Sequence, residues 1–228
     1  MNKNLPIVII GIVAIVAITG GVVLFQSSKA ENNKPRASSN NAAPAVDRYK
    51  TAPPGAQPAW AKGPANAVVT LEEFADFQCP SCAQFDPAIR EIKTIYGDRV
   101  RVVFRQYPLQ MHPKAYDAAR AAEAAGIQGK FWEMHDLLYD KQKDWSVMEN
   151  HRQTFAEYAR SLGLNVEKFN DDLVGQITSS RVGLDKQRGD AIGIRATPSL
   201  FVNGRLLMPD EMQTTKLRQV VENALQRK

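Results

Sequence analysis

Residues 73–82 read Glu-Phe-Ala-Asp-Phe-Gln-Cys-Pro-Ser-Cys, and this stretch decides the fold. Upstream of it, Ala67-Val68-Val69-Thr70-Leu71-Glu72-Glu73-Phe74 is apolar and β-branched, which predicts a strand. Asp76-Phe77-Gln78 breaks that strand. Downstream, Phe85, Ile89, Ile92 and Ile95-Tyr96 recur on one helical face until Gly97-Asp98 stops it. Pro80 suits the first helical turn, where its missing N–H costs nothing. Cys79 then falls at the helix cap, at the positive end of the dipole. Two cysteines in Cys-x-x-Cys spacing at a helix start come within disulfide reach in one turn. The free N–H groups there favour a thiolate on Cys79, whereas Cys82, one turn further in, is expected to be buried and to resolve mixed disulfides.

Farther downstream, Val100 to Phe104 alternates as a second strand. From about 111 to 192 the pattern is helical. Ala115, Ala118, Ala119 and Ala122 share one face that Gly126 closes; Phe131, Met134 and Leu138 form a second stripe; Phe155, Tyr158, Ala159 and Leu162 form a third. Short helices are expected around Val166–Val174 and Ile177–Ile192. Strand character returns at Ser199–Val202, and Asn203-Gly204 before Arg205-Leu206-Leu207 signals a tight hairpin. Asp210 is placed to cap a last helix whose inner face carries Leu217, Val220, Val221 and Leu225. The order is strand, cysteine turn, helix, strand, helical block, hairpin, helix. That is an α/β thioredoxin fold with a helical insertion, built on four sheet strands.

The N-terminal part has another character. Leu5 to Phe25 holds no charged side chain over 21 residues, roughly 30 Å of helix and enough to cross a bilayer. A retained signal-anchor spanning residues 1–25 is the favoured reading. Cleavage near Ala30, after the small residues Ser28 and Ala30, is the alternative. Residues 26–59 are rich in Ser, Asn, Ala and Pro and read as a flexible linker, so the folded part is expected from about residue 60 to 228.

Composition narrows the function. At 44% hydrophobic and 23% charged, the chain has the means to fill a core. Six Lys/Arg and two Asp/Glu lie in residues 1–60, leaving 23 and 22 for residues 61–228, a balance of only +1. Such a domain has no electrostatic reason to bind nucleic acid. Two cysteines are too few for a stapled scaffold or a four-cysteine zinc site. A half zinc site would need His112, His135 or His151, none of which pairs with another at helical spacing. An inert structural disulfide would close too small a loop to stabilise much. No metal or other cofactor is called for.

Glu73 to Cys82 resembles the active-site segment of the DsbA-like thiol–disulfide oxidoreductases. Ala196-Thr197-Pro198-Ser199-Leu200-Phe201-Val202-Asn203-Gly204 resembles that family's cis-proline loop. His112-Pro113 and Ala118–Ala122, with Gly129-Lys130-Phe131-Trp132-Glu133-Met134-His135, resemble the insertion of its membrane-tethered members. The match covers roughly residues 65–226. It implies Cys79 as an exposed nucleophile, Cys82 as its partner and Pro198 as a cis-proline facing them, with Thr197 offering backbone groups to a substrate chain. It further implies Glu73 as an acid beneath the site, able to exchange protons with Cys82, and Asp86 as an acidic residue of the active-site helix. Only one of Glu72 and Glu73 is expected to point inwards. His112 and His135 read as packing or capping groups. Phe74, Phe77, Phe85 and Tyr107 border a peptide groove or belong to the core.

The activity implied is donation of a Cys79–Cys82 disulfide to cysteine-containing proteins folding outside the cytoplasm, followed by reoxidation through a quinone-linked membrane partner. A monomer anchored in the cell membrane by its N-terminal helix is expected, with the domain extracytoplasmic. A reductase or isomerase, or a tethered peptide-binding module, is the alternative. Ser81 stands where strong oxidants of the family commonly carry His, so the Cys79 pKa is expected between roughly 3.5 and 7 and the potential between about −120 and −270 mV.

Overall fold

A computed structural model describes residues 45–227. It begins with α1 (Ala45–Thr51) and β1 (Trp60–Lys62), followed by β2 (Val69–Ala75), α2 (Pro80–Tyr96) and β3 (Val100–Gln106). Six helices then come before the next strand: α3 (Ala115–Ile127), α4 (Phe131–Asp140), α5 (Gln142–Trp145), α6 (His151–Ser161), α7 (Val166–Val174) and α8 (Gln176–Ile192). The hairpin β4 (Ser199–Val202) and β5 (Arg205–Leu206) and the helix α9 (Thr214–Gln226) complete the described chain. The sheet order is β1-β3-β2-β4-β5; β2 and β3 are parallel, and the other neighbours are antiparallel. Asn203 and Gly204, at φ 49° and 82°, make the hairpin turn, which requires positive φ at both positions.

Strand alternation sorts β2 onto two faces. Leu71 packs with Val102, Leu200, Ile89, Ile92, Leu217 and Val221 beneath α2 and α9. Phe74 points the other way and joins Phe201, Tyr107, Ile192 and Ile194 under the end of α8. The insertion packs through the small side chains of α3, where Ala118, Ala121, Ala122, Ala124 and Ala125 are all fully buried. Phe131, Met134, Leu138, Trp145 and Phe155 fill the space around them, and this core runs on to Phe77, Phe104 and both cysteines. The insertion thus forms one wall of the cysteine turn.

The structure corrects four expectations. The sheet has five strands, because Trp60 stacks on Phe131 at 4.6 Å and pins a short edge strand against β3. Folded structure reaches back at least to Ala45 rather than only to about residue 60, so residues 45–59 of the expected linker belong to it. Tyr49 stacks on Phe201 at 4.9 Å. Arg188 donates to the Pro53 carbonyl at 2.8 Å, Arg105 to the Ala56 carbonyl at 2.9 Å, and Asp185 accepts the Ala56 N–H at 2.8 Å. Apolar content does not reveal this segment, because apart from the Tyr49 ring it is held by hydrogen bonds between buried charges and its backbone. Asp210 does not cap the last helix; it lies in the turn Pro209–Met212 and pairs with Lys216 at 3.0 Å. Ile95 is 46% exposed, since the buried face of α2 runs through Ala88, Ile89, Ile92 and Tyr96.

The expected membrane segment and the linker up to residue 44 lie outside the described residues. Among the described residues, no helix is long and apolar enough to cross a membrane.

Candidate active site

Asp76 builds the turn that presents the cysteines. Its carboxylate accepts the N–H of Gln78 at 2.7 Å and of Leu109 at 2.9 Å, and meets His112 Nδ1 at 2.7 Å. Its carbonyl accepts the N–H of Cys79 at 3.1 Å. Cys79 sits at the cap of α2 in extended geometry (φ −73°, ψ 119°) with Pro80 at the first helical position, as the sequence predicts. The Cys79 carbonyl takes the N–H groups of Cys82 and Ala83, and Gln142 donates its side-chain N–H₂ to the carbonyls of Phe77 (2.7 Å) and Cys79 (2.9 Å). Gln142 escapes sequence reasoning, because a lone Gln in a polar four-residue helix carries no periodic signal.

Both cysteines are free thiols. Cys79 is less open than expected, keeping 6% exposure, and Cys82 is fully buried. The Thr197–Pro198 peptide is cis, and the Cys79 thiol donates to the Thr197 carbonyl at 3.4 Å. A hydrogen bond from the Cys82 thiol, joined by the backbone N–H groups of Cys82 and Ser81, outweighs burial and brings Cys79 down to about 5. Burial, the bond it gives Cys79 and the negative charge of Glu73 push Cys82 far up. Two chemically identical side chains one turn apart are thereby driven to opposite ends of the titration scale. Ser81 contributes through its backbone N–H, while its side chain faces solvent.

Glu72 and Glu73 are both buried, on opposite faces of β2, so the expectation that only one turns inwards is overturned. Arg105 and Arg188 bind the Glu72 carboxylate at 2.7–3.0 Å and, against its burial, hold it below the usual carboxylate range. Glu73 lies on the α2 face without a counter-ion; burial and the nearby Asp86 carboxylate push it up to about 8. Asp86 is itself 4% exposed and is paired with Arg90 one helical turn on. Two grooves flank the start of α2. One of about 420 Å³ is lined by Ser81, Phe85, Pro198 and Met212, and one of about 860 Å³ by Pro80, His112, Gln142 and Val147. Of the aromatics considered for a groove, Phe85 borders one; Phe74, Phe77 and Tyr107 are core.

The arrangement suits reversible exchange between one acidic thiol, one resolving thiol and an external sulfur. The profile of the thioredoxin family matches residues 56–223. The oxidised BdbD of Bacillus subtilis superposes with a TM-score of 0.65 at 26% identity, covering 73% of this chain and 92% of that one. A thioredoxin-like oxidoreductase of Silicibacter pomeroyi reaches 0.60 at 25% identity, covering 73% and 91%. A Na(+)/H(+) antiporter NhaA 1 of Mycolicibacterium gilvum is 41% identical over 149 residues, 63% of this chain. The chain spans only 23% of that antiporter's length, so its name describes a protein of which the greater part has no counterpart here. The matched family, which takes in the sheet, the cysteine turn and the cis-proline loop, leads to one placement: the chain belongs to the thioredoxin family.

Proposed function

We propose that the chain oxidises pairs of cysteines in proteins folding outside the cytoplasm, with Cys79 as nucleophile and Cys82 as resolving partner. The observation that carries this reading is the place of Cys79 at the cap of α2, beside the cis peptide of Pro198 and among converging N–H groups; that setting lowers it to about 5, which stabilises the reduced enzyme and makes its disulfide a good oxidant. A substrate thiolate attacks the Cys79 sulfur, the Cys79–Cys82 bond breaks, and Cys82 leaves and takes up a proton. Glu73, protonated below its pKa of about 8, is the donor at neutral pH. A second substrate thiolate then attacks the substrate sulfur of the mixed disulfide and expels Cys79 as a stable thiolate. The substrate gains the disulfide and the enzyme holds the two electrons, which pass to a quinone-linked partner in the membrane. Thr197 and Pro198, beside the groove at Phe85, receive the substrate backbone as a short strand. The N-terminal apolar segment anchors a monomeric enzyme to the membrane, with this domain on the extracytoplasmic side.

The test is the stability of the two redox forms. Cys79 is lowered in the fold, so its contribution is present above the pKa of an unfolded thiol and lost as pH falls through about 5. The reduced form is therefore expected to melt roughly 5 °C or more above the oxidised form at pH 8–9, with the gap closing towards pH 4. An oxidised form that is the more stable at pH 8, or a potential in glutathione buffers at or below about −270 mV, would transfer the chain to the reductases.

A further inference from the structure

The loop between β3 and α3 is pinned to the cysteine turn. Tyr107 donates its N–H to the Ala75 carbonyl at 2.8 Å, Leu109 to the Asp76 carboxylate at 2.9 Å, and Lys114 to the Gln78 side-chain oxygen at 2.7 Å. His112 stands within this loop, and its Nδ1 meets Asp76 Oδ2 at 2.7 Å. The Asp76 side chain is closed to solvent, whereas that of His112 keeps 18% exposure. A carboxylate only accepts, so the proton between them belongs to Nδ1 and the ring presents a lone pair on Nε2. That nitrogen has no partner among the described residues. The ring lines the groove of about 860 Å³ that runs past Pro80 on one flank of the cysteine turn. Met111 and Val147, both well exposed, form its apolar lips. Lys114 fastens the far wall through the Ser146 carbonyl at 2.7 Å. The charged or titratable groups around the ring are Asp76 behind it and, lining the groove with it, Tyr139 and Asp140 of α4 and Lys143 of α5.

We infer that His112 is the catalytic base that takes the proton of the substrate thiol attacking Cys79, with Asp76 as its positioning residue. The inference rests on the redox reading above and supplies a step which that reading leaves open. An ordinary cysteine thiol is only ~1% ionised at pH 6.5, and it is the thiolate that attacks a disulfide. A thiol entering from the groove gives its proton to His112 Nε2, and its sulfur attacks the Cys79 sulfur. The Cys79–Cys82 bond breaks, its electron pair leaves on Cys82, and Glu73 protonates that sulfur. The second substrate thiol loses its proton in the same way before its sulfur displaces Cys79 from the mixed disulfide. Two substrate thiols thus give up two protons and the reduced enzyme keeps one, on Cys82. The balance of one proton leaves to water at the groove mouth, handed on by His112.

The experiment follows reduction of the Cys79–Cys82 disulfide by glutathione in the full-length enzyme, across pH. His112→Asn keeps an N–H where Nδ1 donates to Asp76 and removes the base. It is expected to slow reduction about tenfold or more at pH 6.5, under a ceiling of about a hundredfold set by the ionised fraction of the thiol. Above pH 9, where glutathione arrives as thiolate, the two rates should converge. A ratio that is the same at every pH, or a variant as fast as the wild type at pH 6.5, would make His112 a brace of the turn and overturn the proposal. The wild type alone supplies a second measurement should the variant fail to fold. Between pH 8 and 6.5 its rate should fall about fivefold; a fall of roughly twentyfold, that of the thiolate fraction, would overturn the proposal as well. A reducing potential would sink the oxidase reading alone, because the same nitrogen returns the proton to a thiolate departing in the opposite direction.

Discussion

At the scale of single residues, the site works by contrast between neighbours. Cys79 is an acid because hydrogen bonds converge on its sulfur, that of the Cys82 thiol first among them. Cys82→Ala is expected to raise its pKa by roughly one unit or more, read from thiolate absorbance against pH. Glu73 makes the opposite case. Its folded pKa of about 8 lies above the 4.5 of an unfolded glutamate, so the fold gains nothing from ionising it. Its share of stability is complete below about pH 4.5 and lost as pH rises through 8. Glu73→Gln should therefore stabilise the domain by roughly 2–4 kcal/mol at pH 9 and change little at pH 4, while slowing disulfide exchange at pH 7. Urea titrations at the two pH values check the sign.

At the scale of elements, the cysteine turn is held from the insertion. Gln142→Ala would leave the Phe77 and Cys79 carbonyls without their side-chain donor, a loss of about 1–3 kcal/mol, and hydrogen exchange at Cys82 and Ala83 should accelerate. This element also shows where sequence reading reaches its limit. Thr197 and Pro198 enter only through the family resemblance, whereas the helix-cap placement of Cys79, Pro80 and Cys82 is legible because it answers to a local rule of spacing and backbone geometry. The helical stripes and the Asn203-Gly204 turn were legible for the same reason. Glu72 was misjudged because its partners, Arg105 and Arg188, stand 33 and 116 residues away, and no local pattern announces them. Gln142, reaching back 65 residues to Phe77, was invisible on the same grounds.

At the scale of the whole molecule, the domain includes a strap that composition assigned to a linker. A chain beginning at residue 60 strips Arg188, Arg105 and Asp185 of their bonds to Pro53 and Ala56, and Phe201 of its stacking partner Tyr49. It is expected to unfold at a Tm roughly 5–10 °C below a chain beginning at residue 43, with both transitions cooperative. Equal melting temperatures would show the strap to be ornamental. The strap lies against the Glu72 face of the sheet, and the redox pair against the Glu73 face. Seen as a mechanical linkage, a pull applied at residue 45 would load the arginine clamp first, with the sheet as a bulkhead between that load and Cys79.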